Sequence, residues 1–357
     1  MLNRPDKLNS ISMEMVHGLV HAYAEIKAAG GNTILMKGEG RAFCSGGDVA
    51  SVREEGLVGG DTHALDALPV RFFGDEYVLN HTIATLSDED IHQVALWDGI
   101  TMGGGVGLTV HGKFRVATEN TLFAKPETGI GLFPDVGSTH VLSRIRGGTP
   151  MGLYIGLTGA RLKAADCIWS GLATHYCEAE NLPALEAALA ALGDAGSDSA
   201  AVDAALTAAS GGAVPDDSDA ELAAHADAIA RCFGAETAEG IVAALEAETE
   251  DAEWAAATLK TLLRQSPTSV KITIEAVKRA ASMTMREALV MEYRMVQRCM
   301  REQPKSDFYE GVRAVLVDKE PASAAWSPST LEEVSDEAVE EFFAPLEAGH
   351  PRGDLTW

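Results

Sequence analysis

Short apolar segments that run into glycine-rich turns recur through the first half of the chain, and this pattern most constrains the fold. Four such segments lie at residues 32–38, 93–97, 114–117 and 121–124. Their length and apolar character are typical of buried strands, and the stretches between them are glycine-rich or helix-like. From about Leu182 the sequence is mostly helical. This alternation predicts an α/β fold followed by a helical C-terminal region.

Two of the glycine-rich turns could bring backbone N–H groups to a ligand. Residues 45–48 read SGGD and residues 102–105 read MGGG. Glycine allows close approach of the backbone, so two such turns can form an oxyanion hole, although each is equally consistent with a plain tight turn. The second turn does not match the dinucleotide-binding pattern GxGxxG, because residue 108 is Leu108, and no P-loop pattern occurs. A nicotinamide dehydrogenase is therefore disfavoured.

Two acidic residues interrupt a mainly apolar, glycine-rich segment. Residues 124–137 read AKPETGIGLFPDVG and contain Glu127 and Asp135. Acids in apolar surroundings pair with a cation, cap a turn, or acquire a raised pKa that suits them to catalysis. The residues alone leave these three interpretations open.

The cysteines give no sign of a metal or redox centre. There are five cysteines, an odd number, and they are widely spaced without a CxxC pair. Neither a disulfide framework nor a zinc site is indicated, so no metal ligand is predicted. Cys44 has no recognisable protease signature around it and is predicted to be a small buried side chain.

The charge distribution argues against nucleic-acid binding. Of the net charge of −25, residues 178–253 contribute −17, with 18 acidic residues and one basic residue, Arg231. Such a field repels phosphate backbones. A solvated helical face explains this Ala-rich acidic segment best, with a salt-adapted or docking surface as the alternative. Neither a membrane-spanning apolar run nor a signal peptide is evident, which predicts a cytoplasmic protein.

Taken together, the motifs resemble those of the crotonase (enoyl-CoA hydratase/isomerase) superfamily. Residues 3–9 (NRPDKLN) resemble the segment after its first strand, and residues 40–48 (GRAFCSGGD) its first oxyanion loop. Residues 99–108 (GITMGGGVGL) resemble the second oxyanion loop, and Pro126-Glu127-Thr128 the segment with the catalytic acid. The chain begins close to the first motif and so lacks most of the usual first strand.

A narrower resemblance, to the 3-hydroxyisobutyryl-CoA hydrolase subfamily, extends over nearly the whole chain. It includes segments at residues 114–119, 126–137, 266–273, 291–294, 307–319 and 326–328. It is weakest from about residue 178 to 253. The resemblance implies a ββα spiral core with the active site in residues 1–180. It also implies a helical region, residues 181–357, that completes the acyl-CoA site.

The resemblance also implies roles for individual residues. The N–H groups of Gly47 and Gly104 would hold a thioester carbonyl oxygen. Glu127 would either attack the carbonyl to form an anhydride or activate water as a general base. Asp135 would bind a 3-hydroxyl group or assist proton transfer. Glu76 would line the acyl pocket, with a surface helix acid as the alternative interpretation.

The implied ligand is an acyl-CoA, with coenzyme A as part of the substrate and no separate cofactor. Arg4, Lys7 and Arg41 lie near the right motifs to bind the nucleotide end, but ordinary surface charges explain them equally well. Members of the superfamily often form trimers through C-terminal helices, so the resemblance is compatible with a homo-oligomer.

One departure from the superfamily pattern bears on the reaction. Simple hydratases carry two catalytic glutamates, and the position of the first is Gly107 here, whereas the second matches Glu127. The loss of one acid favours thioester hydrolysis over hydration of a double bond. The rival interpretations are an enoyl-CoA hydratase or isomerase and a non-catalytic acyl-CoA-binding protein.

Overall fold

The computed structural model describes residues 1–57, 67–212 and 214–357. Within these residues the strands are β1 Thr33–Met36, β2 Ala42–Cys44, β3 His92–Trp97, β4 Ile100–Met102, β5 Phe114–Ala117, β6 Leu122–Ala124 and β7 His175–Tyr176. The first α-helices are α1 Met13–Ala28, α2 Val49–Leu57, α3 Leu68–Thr85, α4 Gly104–Gly107, α5 Ser138–Leu142, α6 Gly148–Thr158, α7 Ala164–Ser170, α8 Leu182–Ala190 and α9 Ser199–Ala209. Those that follow are α10 Glu221–Ala224, α11 Ala226–Phe233, α12 Ala238–Ala247, α13 Ala252–Leu262, α14 Pro267–Ala280, α15 Met285–Cys299, α16 Phe308–Val312 and α17 Asp336–Glu341.

The strands form two parallel sheets that the chain enters alternately. One sheet has the order β1-β3-β5-β7 and the other has the order β2-β4-β6. Along the chain, the first strand of each pair joins the four-stranded sheet and the second joins the three-stranded sheet. Helices then lead to the next pair, as parallel neighbours require. This is the ββα spiral that the sequence predicted, and it is confirmed.

Helices cover the four-stranded sheet because its strands are apolar on the face that they meet. Every residue of β3 is buried. Val94 and Val116 of the sheet pack in one cluster with Leu185 of α8 and Leu206 of α9. Burial of such side chains is worth about 1.5–3 kcal/mol each, so this layer of helices stabilises the four-stranded sheet.

Two strands lie where the sequence predicted only glycine-rich loops. β2 and β4 are three residues long, and the pairing of β2 with β4 shifts register between Ala42 and Cys44. Both strands are short and lie among glycines that are typical of turns, so the sequence around them predicts loops. Their strand conformation comes from pairing with each other and, for β4, with β6.

The described residues group into two compact units, each discontinuous in sequence. Unit 1 comprises Met1–Gly47, Leu79–Ala124 and Arg161–Ala224, and unit 2 comprises Asp48–Val78, Lys125–Ala160 and His225–Trp357. All strands lie in unit 1. The division near residue 180 that the family resemblance implies stays a prediction. Residues 125–160 belong to unit 2 because they pack with C-terminal helices, as helix α6 does with α11 and α14.

The acidic side chains of residues 178–253 lie mostly at the surface. The described residues of this segment form helices α8 to α12 and the start of α13, without a strand. Most of its acidic residues are exposed, in agreement with a solvated helical face, whereas the Glu248 side chain is 5% exposed and pairs with Arg231. Within the described ranges, no helix is both long enough and apolar enough to cross a membrane.

Candidate active site

The two predicted oxyanion turns lie side by side in unit 1. β2 and β4 are parallel neighbours, so the turns that follow them meet at one edge of the sheet. Gly46 has φ +118° and Gly103 has φ +52°, values that glycine tolerates and other residues rarely adopt. A Cβ atom on Gly46 would lie 3.5 Å from the main-chain oxygen of Met102 and 3.7 Å from the nitrogen of Gly104. The structure therefore brings the two predicted turns together.

The N–H groups of Gly47 and Gly104 are available to a ligand. Gly104 is the first residue of helix α4, after the N-cap Gly103, and the first N–H groups of a helix have no acceptor inside it. In the part of the chain that the structure describes, neither Gly47 nor Gly104 donates its N–H to a main-chain oxygen in a turn, loop or cap. Two such adjacent donors can stabilise an oxyanion.

Cys44 has a packing role beneath the second turn. The side chain is fully buried, as the sequence predicted, and the five cysteines are all free thiols. A Cβ atom on Gly105 would lie 2.6 Å from both the Cβ atom and the main-chain oxygen of Cys44. Only glycine fits at this position, so the contact fixes the distance between β2 and the turn.

The predicted acids lie together in unit 2, in an arrangement that includes a buried lysine. Glu127 begins a 3-10 turn, Glu127–Ile130, and is separated from strand β6 by Lys125 and Pro126. The Lys125 Nζ atom lies 2.8 Å from Glu127 Oε1 and 3.9 Å from Asp135 Oδ1. The Tyr77 hydroxyl donates to Asp135 Oδ2 at 2.8 Å. All four of these side chains are buried.

Burial raises the pKa values of both predicted acids. Desolvation, with a smaller contribution from Asp135, raises the pKa of Glu127 to about 7, although the nearby Lys125 ammonium opposes this rise. Desolvation likewise raises the pKa of Asp135, opposed by Lys125 and by the hydrogen bond from Tyr77. A carboxyl group with a pKa near neutrality can act as a nucleophile or as a general base at physiological pH.

Glu76 belongs to the same cluster. It lies on helix α3 and is 1% exposed, so the interpretation as a surface helix acid is wrong. Its Oε1 atom has no hydrogen-bond partner among the described residues. Desolvation, with a further contribution from Asp135, raises its pKa to about 8. Glu76 is therefore mostly protonated at neutral pH and can donate a hydrogen bond.

Glu292, on helix α15, holds the loop that follows Asp135. Its carboxyl group accepts hydrogen bonds from the Gly137 N–H at 2.6 Å, the Thr139 N–H at 3.1 Å and the Thr139 hydroxyl at 2.5 Å. Gly137 has φ +78°. Burial raises the pKa of Glu292 to about 8, against the effect of these hydrogen bonds. It positions the loop because its two oxygens accept from the N–H groups of Gly137 and Thr139, at the start of helix α5.

The sequence did not predict three of these residues, Lys125, Tyr77 and Glu292. Lys125 and Tyr77 each stand within two residues of a predicted acid, Glu127 and Glu76. This proximity is the only signal that could have found them. Glu292 lies 155 positions from Gly137, and no local pattern connects the two.

The cations expected near the nucleotide end of an acyl-CoA lie in unit 1. The Arg4 guanidinium donates to the main-chain and hydroxyl oxygens of Ser10, at 3.1 and 3.2 Å. Lys7 and Arg41 are exposed. Their part in binding stays a prediction. Within the described ranges, no three His, Cys, Asp or Glu side chains are grouped to hold a metal ion.

Comparison with known proteins identifies the class to which this fold and site belong. A model of the enoyl-CoA hydratase/isomerase family matches residues 1–343, and the chain belongs to this family. The predicted resemblance is therefore confirmed.

Curated relatives include 3-hydroxyisobutyryl-CoA hydrolases over almost the whole chain. The mitochondrial 3-hydroxyisobutyryl-CoA hydrolase of Xenopus tropicalis is 43% identical over 97% of this chain and 86% of its own length. The 3-hydroxyisobutyryl-CoA hydrolase 1 of Arabidopsis thaliana is 40% identical over 97% of this chain and 88% of its own length.

Two solved structures share the fold over nearly their full length. A carnitinyl-CoA dehydratase from Mycobacterium thermoresistibile is 35% identical with a TM-score of 0.84, covering 99% of this chain and 94% of that structure. An enoyl-CoA hydratase from Rhodobacter sphaeroides is also 35% identical, with a TM-score of 0.82, covering 100% of this chain and 96% of that structure.

Proposed function

We propose that this protein hydrolyses a short-chain 3-hydroxyacyl-CoA thioester, 3-hydroxyisobutyryl-CoA, to 3-hydroxyisobutyrate and coenzyme A. The observation that carries the proposal is the buried carboxyl group of Glu127, with a pKa of about 7 and a cation 2.8 Å away. It is an acid suited to attack or to water activation at neutral pH. The curated relatives supply the identity of the acyl group.

The proposed reaction begins at the thioester carbonyl. The N–H groups of Gly47 and Gly104 donate to its oxygen, and each donor aimed at the developing oxyanion is worth about 3–4 kcal/mol of barrier. In the favoured route, the Glu127 carboxylate attacks the carbonyl carbon and the C–S bond breaks, which releases the thiolate of coenzyme A and leaves a mixed anhydride. Water then cleaves the anhydride, which releases the hydroxy acid and restores Glu127. In the alternative route, Glu127 removes a proton from the attacking water.

Asp135 and Glu76 are proposed to recognise the acyl group. Tyr77 already donates to Asp135 Oδ2, so we expect a 3-hydroxyl to donate preferentially to the other oxygen of this carboxyl group. Glu76 carries an Oε1 atom without a partner in the described residues. A site that pairs a substrate hydroxyl with a buried polar group discriminates against the substrate that lacks it.

Residue 107 favours hydrolysis over hydration. Gly107 is a buried residue of helix α4, so no carboxyl group is available at the position of the first hydratase glutamate. Addition of water across a double bond uses two acids, whereas thioester hydrolysis by Glu127 needs one. The two solved structures named as a dehydratase and a hydratase make the hydratase the second candidate.

This substrate would place the protein in valine breakdown. The cytoplasmic location predicted from the sequence stays a prediction, as the relatives from Xenopus tropicalis, Danio rerio, Gallus gallus and Mus musculus are named mitochondrial. A homo-oligomer and the absence of a separate cofactor also stay predictions.

A panel of acyl-CoA thioesters, followed for free thiol, tests the proposal. Thiol release from 3-hydroxyisobutyryl-CoA should exceed that from isobutyryl-CoA by about 10–10³-fold. This ratio is smaller than the largest known discriminations, because water can take the place of the missing 3-hydroxyl group in a partly wet pocket. Loss of the enoyl absorbance of crotonyl-CoA is measured in parallel and should be slow. Rapid crotonyl-CoA hydration without thiol release would establish the hydratase instead. Binding without either reaction would establish a non-catalytic acyl-CoA-binding protein.

A further inference from the structure

Lys125 is a fully buried lysine whose charge faces the proposed catalytic acids. Its side chain is 0% exposed. Besides its approach to Glu127 Oε1 at 2.8 Å and to Asp135 Oδ1 at 3.9 Å, its Nζ atom donates to the main-chain oxygen of Asp135 at 3.3 Å. Burial of an ammonium is costly unless it is paired, so its charge has to be matched by an acid of the cluster.

The cluster holds more acids than one ammonium can compensate. The Lys125 ammonium acts on Glu127 and Asp135 of its own segment and on Glu76 of helix α3. The titratable groups that face Asp135 from other elements are Tyr77 on helix α3 and Glu292 and Cys299 on helix α15. Burial raises the pKa of the tyrosine and of the cysteine, so both stay neutral. Three carboxyl groups, those of Glu127, Asp135 and Glu76, thus compete for the Lys125 ammonium, and its position selects which of them ionises.

The geometry favours Glu127 in this competition. Glu127 is the acid nearest to the ammonium, and within the described part of the chain neither of its oxygens accepts a well-directed hydrogen bond. Asp135 has the Tyr77 hydroxyl as a donor and lies farther from the ammonium, at 3.9 Å. Of these two acids, Glu127 therefore depends more on the charge of Lys125.

We propose that Lys125 is a positioning residue for thioester hydrolysis, whose ammonium keeps Glu127 ionised, and so reactive, while Glu76 stays protonated. The role rests on the proposed function, because ionised Glu127 is the attacking or water-activating group. The pKa values agree with this order, since Glu127 lies at about 7 and Glu76 at about 8. Packing alone does not require a charge here, because neutral side chains often replace buried ion pairs without loss of stability.

The pH dependence of kcat/KM for thiol release tests the proposal, because it reports the ionisation of the free enzyme. In Lys125→Met, the pKa of Glu127 should rise because the carboxylate has lost its cation. The acid limb of the kcat/KM profile should therefore move to higher pH by at least about one pH unit. Activity at pH 6 should then fall more than about tenfold, while the maximum at higher pH stays within about threefold. A purely structural role would lower the whole profile without moving the limb.

Lys271→Met is the matched control. Lys271 is a half-buried lysine of helix α14 that pairs with Glu239 at 2.6 Å and donates to the Val334 main-chain oxygen at 2.9 Å. Its substitution should leave the acid limb in place. An unmoved limb in folded Lys125→Met overturns the proposal. Loss of activity at every pH in the folded variant also overturns it, because Lys125 would then act on the reaction directly.

A stability measurement without substrate separates this proposal from the proposed function. Lys125→Met leaves the Glu127 carboxyl group buried without its cation. The double variant Lys125→Met/Glu127→Gln no longer buries an acid that lacks a compensating charge. At pH 7, the unfolding midpoint of the double variant should exceed that of Lys125→Met by at least about 3 °C. If the loss of stability in the double variant equals the sum of the losses in Lys125→Met and Glu127→Gln, the proposal is overturned. Failure of both Lys125→Met and the double variant to fold also overturns it. If the wild type cleaves no thioester, the proposed function fails, yet this comparison still reports on the pair.

Discussion

Glu76→Gln should make the protein more stable, and the gain should grow with pH. The carboxyl group of Glu76 is 1% exposed, and its pKa is raised from 4.5 to about 8. The folded protein therefore keeps this proton up to about pH 8, whereas the unfolded chain releases it near pH 4.5. Between these two values, the unfolded state binds fewer protons, so wild-type stability falls as pH rises. Glutamine resembles the protonated acid and does not titrate.

The size of the effect follows from one proton. A difference of one bound proton changes the free energy of unfolding by about 1.4 kcal/mol per pH unit. From pH 5 to pH 7, the gap between Glu76→Gln and the wild type should widen by about 3 kcal/mol. The other buried acids are present in both proteins and largely cancel in the difference.

Urea unfolding at pH 5, 6 and 7 measures this gap, provided that fluorescence and circular dichroism give coincident transitions. Glu310→Gln is the control, because a salt bridge from Arg313 at 2.6 Å lowers the pKa of Glu310. The loss of stability in Glu310→Gln relative to the wild type should be nearly constant from pH 5 to pH 7. Parallel stability curves for Glu76→Gln and the wild type would refute the burial argument.

Three further substitutions test the site. Glu127→Gln should lower kcat at least about 10³-fold but keep acyl-CoA binding, by calorimetry, within about tenfold, since only the reactive charge is lost; more than a tenth of wild-type kcat would contradict the assignment. Gly105→Ala should cost about 1–3 kcal/mol in chemical unfolding and lower kcat, because its Cβ would lie 2.6 Å from Cys44. The control Gly18→Ala lies in helix α1, where nothing lies within 4 Å of the added Cβ, and it should instead stabilise the protein by up to about 1 kcal/mol. Equal losses of stability in Gly105→Ala and Gly18→Ala would refute the predicted steric clash with Cys44. Asp135→Asn should shrink the preference for 3-hydroxyisobutyryl-CoA over isobutyryl-CoA in the thiol assay, and an unchanged ratio would exclude its contact with the 3-hydroxyl.

The sequence predicted the strands that lie outside the glycine-rich turns. β1, β3, β5 and β6 were anticipated within one or two residues at each end. β2 and β4 were not, because they lie inside the glycine-rich segments 38–47 and 99–108, whose glycines are typical of turns. The helical character of the chain beyond Leu182 was evident from composition and periodicity.

The candidate site divides in the same way between local and long-range information. The segment that contains Glu127 and Asp135 could be recognised as a motif, and the structure brings both acids together. Their protonation could not be predicted, because it depends on burial and on charges contributed by other segments. Tyr77 and Asp135 are separated by 58 positions, and a pairing of that range leaves no trace in a single sequence.

The C-terminal helices are part of the catalytic arrangement, because they hold the loop between Glu127 and Asp135. A Cβ atom on Gly131 would lie 2.3 Å from the Asp307 carbonyl carbon, so this loop and the start of helix α16 are in direct backbone contact. On the other side of Asp135, the Glu292 carboxylate on helix α15 fixes the next turn. A displacement of a catalytic group by about 1 Å can lower the rate about 100-fold. The contacts on both sides of Asp135 therefore have a direct effect on the reaction rate, because they hold the carboxyl groups in place. The helical region is therefore required to orient the acids, even though the motif that contains them is encoded far from it in the sequence.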